Sequence, residues 1–228
     1  MTIWDRIAAA LAALAKGEPL SSILDSLRGT PERSVGFTIA VIALGAKLAK
    51  ADGLVTRNEV SAFRQVFSIP EGEEAHAARV YNLARQDVAG FDAYARKVRA
   101  MFGPNDARVL ADLLEGLFLI AMADGSYHPN EDTFLEEVAQ IFGLGEACFR
   151  SLRARFVDGA PRDPYDVLGV ARDAGVDAIR AAWRQAARDS HPDAMIARGV
   201  PPEAVQLATR RMADINAAWD EIRSKVAA

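Results

Sequence analysis

The sequence predicts an all-α protein. Apolar residues recur at the three- and four-residue spacing of a helix face along nearly the whole chain, and the alternating runs of a half-buried strand are missing from it. Glycines, prolines and Asp-Gly pairs separate these runs, which is typical of helix ends. With 228 residues, half of them hydrophobic, the chain is long enough to form two packed domains.

The first part of the chain is predicted to be a series of helices of ordinary length. They are expected at 3–16, 20–27, 32–51, 57–67, 73–86, 91–102, 106–123, 130–142 and 146–156. Residues 158–164 follow, and two prolines and a glycine among charged side chains indicate a linker there. We therefore predict an N-terminal helical segment at 1–30, a helical domain at 31–157, the linker, and a second domain at 165–228.

An internal repeat lies in the first domain. LAKADGLVTRNEV (48–60) aligns without gaps with IAMADGSYHPNED (120–132), and each contains Ala-Asp-Gly, four further residues and then Asn-Glu. Such a repeat predicts two similar helical hairpins that pack together about an approximate two-fold axis.

Each Asp-Gly segment has an explanation in terms of helix ends. Gly53 and Gly125 can take the left-handed conformation that ends a helix. Thr56 and Glu59 fit a capping box for the helix that follows, and Pro129 suits a first helical position. In this interpretation the acidic residues of the repeat stabilise helix termini.

The same segments also have an explanation as a metal site. The side chains that would converge on a divalent cation are the carboxylates of Asp52, Glu59, Asp124 and Glu131, with His128 as a further nitrogen ligand. The duplicated pattern resembles the tellurite-resistance TerB-like family, some members of which are thought to hold metal through such acidic residues. The sequence leaves capping and metal binding open.

The second domain contains a helix with an arginine face. Asp173 is expected to cap this helix, and Ile179 lies on its apolar side. Arg180, Arg184 and Arg188 follow one another at four-residue intervals on another side. Like charges at that spacing repel one another slightly, so the arrangement indicates a surface for an acidic partner.

This helix is expected to end at His191-Pro192-Asp193. Pro192 disfavours the helical conformation for His191, and Asp193 is predicted at the tip of a loop that runs to Gly199. A further helix follows that loop with a matching apolar side. The two helices are therefore expected to pack antiparallel, with a short helix near 165–168 across them.

Several segments of the second domain resemble the DnaJ family. They are DPYDVLGV (163–170), IRAAWR (179–184), HPD (191–193) and INAAW (215–219), in that order. The resemblance implies a co-chaperone that docks on an ATP-bound DnaK-type chaperone and accelerates ATP hydrolysis by that partner, while hydrolysing nothing itself. It also implies core positions for Tyr165, Leu168, Trp183 and Trp219.

The resemblance assigns partner contacts residue by residue. Arg180, Arg184 and Arg188 would face an acidic surface of the chaperone. The turn formed by His191, Pro192 and Asp193, called the His-Pro-Asp turn below, would act on its ATPase domain.

Departures from the family pattern lie just before the turn. Ser190 stands where the family usually has an aromatic residue, and Gln185 and Asp189 stand where further basic residues are usual.

A TerB-like domain followed by a C-terminal J-domain, with the lengthened 194–203 segment, resembles the DjlA type of this family. Members with that layout carry an N-terminal membrane span. No segment here has the length and apolar character of one, so we expect no membrane span and a cytoplasmic protein.

Composition narrows the function classes. A formal charge of −4 argues against nucleic-acid binding. Cys148, the single cysteine, excludes an internal disulfide and is interpreted as a small core or near-core hydrophobe. The sequence contains no Gly-rich phosphate loop, Cys–His pair or HExxH motif, so we expect no enzyme.

The preferred function is a co-chaperone whose TerB-like domain selects an unknown client protein or a location. The alternative is a metal-binding or stress-response TerB-like module with a weakly active J-domain.

Overall fold

Helices form the regular structure of this protein. A computed structural model describes residues 2–12, 18–26, 32–51, 63–64, 66–87, 90–103, 106–125, 127–157 and 163–227. Across these ranges the chain forms helices and no strands, so the predicted all-α class is confirmed.

The helices lie close to their predicted positions. In the N-terminal domain they are α1 (Ile3–Ala12), α2 (Ser21–Ser26), α3 (Glu32–Ala51), α4 (Glu74–Gln86), α5 (Phe91–Met101), α6 (Ala107–Ala121), α7 (Pro129–Phe142) and α8 (Glu146–Phe156). In the C-terminal domain they are α9 (Pro164–Leu168), α10 (Val176–Asp189), α11 (Pro192–Ala197) and α12 (Val205–Ala227). Short 3-10 helices occupy Met122–Asp124 and Pro202–Ala204. The helix predicted at 57–67 lies largely outside the described residues.

Helix α3 lies at the centre of the N-terminal domain. Every residue from 35 to 48 is buried, and α4, α5 and α6 pack against this helix. Gly45 allows a close approach, because a Cβ there would lie 3.0 Å from Ile120 Cδ1 and 3.1 Å from Phe63 Cε1. The buried Lys47 is also satisfied, since its Nζ donates to the carbonyl oxygen of Asp87 at 2.7 Å. Burial of this apolar surface is the main stabilising contribution to the domain.

The second Asp-Gly segment forms the helix boundary predicted by the capping interpretation. Gly125 has φ 85° and ψ 5°, the left-handed conformation. Helix α7 then begins at Pro129, and the Glu131 carboxylate accepts a hydrogen bond from the backbone N–H of His128 at 2.8 Å. Capping is therefore confirmed for this segment. The first segment, 52–62, lies outside the described residues, so its capping and the two-fold repeat stay predictions.

The C-terminal domain has a core of its own. Helix α9 packs against α10 and α12, and the buried residues between them are Val167, Leu168, Ile179, Ile215, Ala218, Trp219 and Ile222. Trp183 stacks on Trp219 with ring centroids 5.3 Å apart, and its Nε1 donates to Asn216 Oδ1 at 3.0 Å. Tyr165 packs against this cluster from a partly buried position. The aromatic residues thus lie in or against the core, as the resemblance implied.

The start of α10 differs from the prediction. Asp173 was expected as the N-cap, but Gly175 takes the extended N-cap conformation and the helix begins at Val176. Asp173 is instead part of a turn, closed by a hydrogen bond from the Ala174 N–H to the Ala171 carbonyl at 3.1 Å. This local turn uses the residues that a longer helix would have needed.

The two domains are joined by buried apolar contacts. Residues from α11 to the first turns of α12 belong to the same buried cluster as the N-terminal core, and they are Met195, Val200, Ala204, Leu207 and Ala208. From Ile215 onwards, α12 packs instead within the C-terminal core. Helix α12 therefore contributes to both domains.

Candidate partner-docking site

The His-Pro-Asp turn connects α10 to α11. His191 has φ −63° and ψ 135°, so the chain leaves the helical conformation there, and Pro192 is the first residue of α11. The Nδ1 of His191 accepts a hydrogen bond from the backbone N–H of Asp193 at 3.2 Å. The two side chains are nonetheless 60% and 89% exposed. The turn thus presents an imidazole and a carboxylate to solvent on a backbone that local hydrogen bonds fix.

The predicted loop after the turn is wrong. Residues 192–197 form α11, and Asp193 lies in its first turn instead of at a loop tip. The sequence is suited to this helix, because proline is favoured at the first helical position and an aspartate in the first turn interacts favourably with the helix dipole. Met195, buried to 2% exposure, packs the helix against the N-terminal domain.

The predicted arginine face lies on the solvent side of α10. Arg180, Arg184 and Arg188 are all exposed, whereas Ile179 is buried. The guanidinium of Arg188 donates to Gln185 Oε1 at 2.7 Å. The three arginines are thus placed together on one face of the helix that leads into the turn, as expected from their spacing.

Residues of the N-terminal domain reach the end of this helix. Arg108 at the start of α6 forms an ion pair with Asp189, with 2.5 Å between Nη1 and Oδ1. Gln185 donates from Nε2 to both carboxylate oxygens of Asp189 at 3.0 Å. Ser190 is buried and its hydroxyl donates to the Ala186 carbonyl at 2.7 Å. Asp189, which departs from the family pattern, therefore contacts the other domain.

A buried ion network between the domains was missed by sequence reasoning. Its members, called the interdomain network below, are Asp112 and Glu115 of α6, Arg155 of α8, Arg198 just after α11, and Arg211 of α12. Both carboxylates are fully buried. The only signal in the sequence was a pair of acidic residues, three positions apart, within the apolar run VLADLLEGLFLIAMA.

Guanidinium groups surround both acids of the interdomain network. Arg155 donates to the two oxygens of Glu115 at 3.1 and 2.8 Å, and Arg211 donates from Nε to Glu115 Oε2 at 2.7 Å. Arg211 Nη2 also lies 2.6 Å from Asp112 Oδ1. Burial alone would raise the pKa of the Glu115 carboxyl, but these two arginines outweigh it and hold the pKa below its usual range.

A cavity of about 360 Å³ borders this network between the domains. Its lining includes Cys148 and Arg155 from the N-terminal domain and Leu168 and Ser190 from the C-terminal domain. Cys148 is partly buried against the core, and burial raises the pKa of its thiol. It is therefore a protonated, weakly polar side chain at neutral pH, in agreement with its interpretation as a near-core hydrophobe.

The candidate metal ligands are only partly described. Asp52 and Glu59 lie outside the described residues, as does the side chain of Asp124. Glu131 is buried and bonded to the His128 backbone. Among the described residues, no group of three or more histidine, cysteine, aspartate or glutamate side chains is arranged to hold a metal ion. The metal site stays a prediction.

Two family models match the chain. The model described as Tellurite resistance protein TerB matches residues 38–154, which is more than half of the chain, and the DnaJ domain model matches residues 163–226. No solved structure matches the chain significantly.

Curated relatives match the chain over most of its length. Co-chaperone protein DjlA of Photobacterium profundum is 29% identical over 220 residues, which cover 85% of this chain and 79% of the relative. The protein of that name from Coxiella burnetii is 28% identical over 233 residues, covering 92% and 81%. The one from Escherichia coli (strain K12) is 24% identical over 221 residues, covering 85% and 81%.

The fold and these matches define a J-domain protein in which a TerB domain comes first. The chain belongs to the TerB family and, with its DnaJ domain in second place, to the co-chaperones of the DjlA type. Within the part of the chain that the structure describes, no helix has the length and apolar character needed to cross a membrane.

Proposed function

We propose that this co-chaperone docks on a DnaK-type chaperone through α10 and stimulates ATP hydrolysis by that partner through the His-Pro-Asp turn. The observation that carries the proposal is the position of His191 and Asp193, which are 60% and 89% exposed at the end of the arginine face. The chain itself performs no covalent chemistry in this proposal.

Each group at the site has a distinct part. The three arginines bring positive charge to an acidic surface, which accelerates encounter and fixes orientation. Pro192 sets the change of direction between the helices, and His191 caps α11 from within the turn. The Asp193 carboxylate then offers an exposed negative charge at a fixed place, where the ATPase domain can recognise it.

The TerB-like domain is proposed to select the client protein or the cellular location. The DjlA relatives align with this chain across both domains, which supports a combined function over that of a J-domain alone. A cytoplasmic location, favoured by the single cysteine, stays a prediction.

ATP turnover by a purified DnaK-type chaperone tests the proposal. We expect the wild-type chain to raise the turnover rate and His191→Gln to remove that stimulation. His76→Gln is the matched control, because His76 is a half-buried histidine on α4 that pairs with Glu73 at 2.8 Å. Stimulation by His191→Gln equal to that of the wild type would overturn the proposal.

A further inference from the structure

Arg198 connects the N-terminal domain to both sides of the His-Pro-Asp turn. It directly follows α11, and its Nη2 and Nε donate to Asp112 Oδ2 at 2.9 and 3.3 Å. Its Nη1 donates to the carbonyl oxygen of Asp189, the last residue of α10, at 2.9 Å. One side chain thus ties a buried carboxylate of α6 to the helix before the turn and to the helix after it.

The contact satisfies a carbonyl at a helix end and gives a buried carboxylate a second cationic partner beside Arg211. The last carbonyls of a helix have no hydrogen-bond donor within that helix, and a cation near them is favourable. Asp112 is fully buried on α6, where an ionised carboxylate needs cationic partners. Arg198 is 18% exposed in its side chain, so both of its contacts are largely shielded from water.

The underside of the turn also packs on the N-terminal domain. Met195 and Val200, on either side of Arg198, are 2% and 1% exposed and belong to the N-terminal core cluster. Arg108 pairs with the Asp189 side chain from α6. Asp189 is therefore held by Arg108 at its carboxylate and by Arg198 at its carbonyl.

We propose that Arg198 is a positioning residue through which the TerB-like domain holds the His-Pro-Asp turn in the conformation that stimulates the partner. This inference rests on the proposed function. It also gives a role to Asp189, which stands where the family usually has a basic residue: in this chain the position serves contact with the TerB-like domain. The conformation of the turn accordingly depends on both domains.

Amide hydrogen exchange in the full-length chain, without partner, tests the structural half of the inference. Arg198→Ala should speed exchange of residues 193–199 by roughly tenfold or more, because a hydrogen-bonded contact to a charged group is lost. Arg198→Lys keeps the charge beside Asp112 but lacks the fork that reaches Asp189, so we expect an intermediate rate. Arg223→Ala is the matched control, because Arg223 is 68% exposed on α12 and pairs with Asp220 at 3.6 Å.

Partner stimulation tests the functional half. The arginine face is unchanged in these variants, so the concentration for half-maximal stimulation should stay the same. Maximal stimulation should fall about twofold or more, in proportion to the molecules whose turn has left the competent position. If Arg198→Ala does not fold, the same two measurements on Arg198→Lys test the inference.

The outcomes separate the two proposals. Wild-type exchange rates in the Arg198 variants would overturn the inference, as would faster exchange with unchanged maximal stimulation. A wild-type chain that fails to stimulate any DnaK-type chaperone would instead overturn the proposed function. The exchange rates would then still test whether Arg198 holds the His-Pro-Asp turn in place.

Discussion

Replacing Arg211 by methionine should destabilise the folded chain more than any exposed substitution. The side chain is 13% exposed and pairs with both buried carboxylates of α6. Removing one partner of a buried ion pair typically costs about 3–5 kcal/mol. Because Arg155 still pairs with Glu115 and Arg198 with Asp112, we expect the lower end, about 3 kcal/mol.

Thermal unfolding followed by circular dichroism measures this cost. For a chain of this size, each kcal/mol lowers Tm by roughly 2–4 °C, so Arg211→Met should lower it by roughly 6–12 °C. Arg223→Met is the control, since its exposed pair with Asp220 should contribute at most about 1 kcal/mol. A Tm for Arg211→Met equal to that of Arg223→Met would refute the stabilising role of the interdomain network.

Three further predictions address charge. Burial acts to raise the pKa of Glu115, but Arg155 and Arg211 outweigh burial and lower it. The ionised carboxylate therefore stabilises the folded chain above its unfolded pKa near 4.5, and this stabilisation is lost as the pH falls through the lower folded pKa. Acid unfolding of Glu115→Gln should therefore depend less on pH in that range, and an unchanged dependence would argue against the pairing. Arg184→Glu should weaken docking on the chaperone more than Arg184→Ala, and the difference should shrink with added salt, since exposed charges are screened over about 8–10 Å. Affinities insensitive to salt would show that the arginine face takes no part in docking. If the Asp-Gly segments bind a cation, Ca²⁺, Mg²⁺ or Zn²⁺ should raise Tm relative to EDTA and Asp124→Asn should remove the shift; because Glu131 already caps α7, we expect no shift.

Local patterns in the sequence were sufficient for most of the helices. Apolar spacing and glycine breakers placed α3 at its observed bounds of Glu32–Ala51 and α8 at Glu146–Phe156. Gly125 and Pro129 marked a helix end and a helix start, because each is favoured there by its own backbone preferences. The spacing of the DnaJ segments likewise placed the arginine face and the turn.

Contacts between distant residues could not be predicted in this way. Asp112 and Arg198 are 86 positions apart, and periodicity carries no information about which arginine meets which acid. The α11 helix was missed for a related reason. Its six residues give too little periodic signal, and its stability depends on packing of Met195 against the other domain.

Single-turnover ATP hydrolysis by a DnaK-type chaperone, with the Asp193→Asn variant, tests the central claim most directly. The exposed carboxylate is 89% accessible, so its loss should leave the melting temperature within experimental error of the wild type. Asp220→Asn is the matched control, since Asp220 is an exposed aspartate on α12. We predict that the wild type and Asp220→Asn accelerate hydrolysis and that Asp193→Asn does not. Equal acceleration by all three proteins would contradict the claim that the His-Pro-Asp turn acts on the partner.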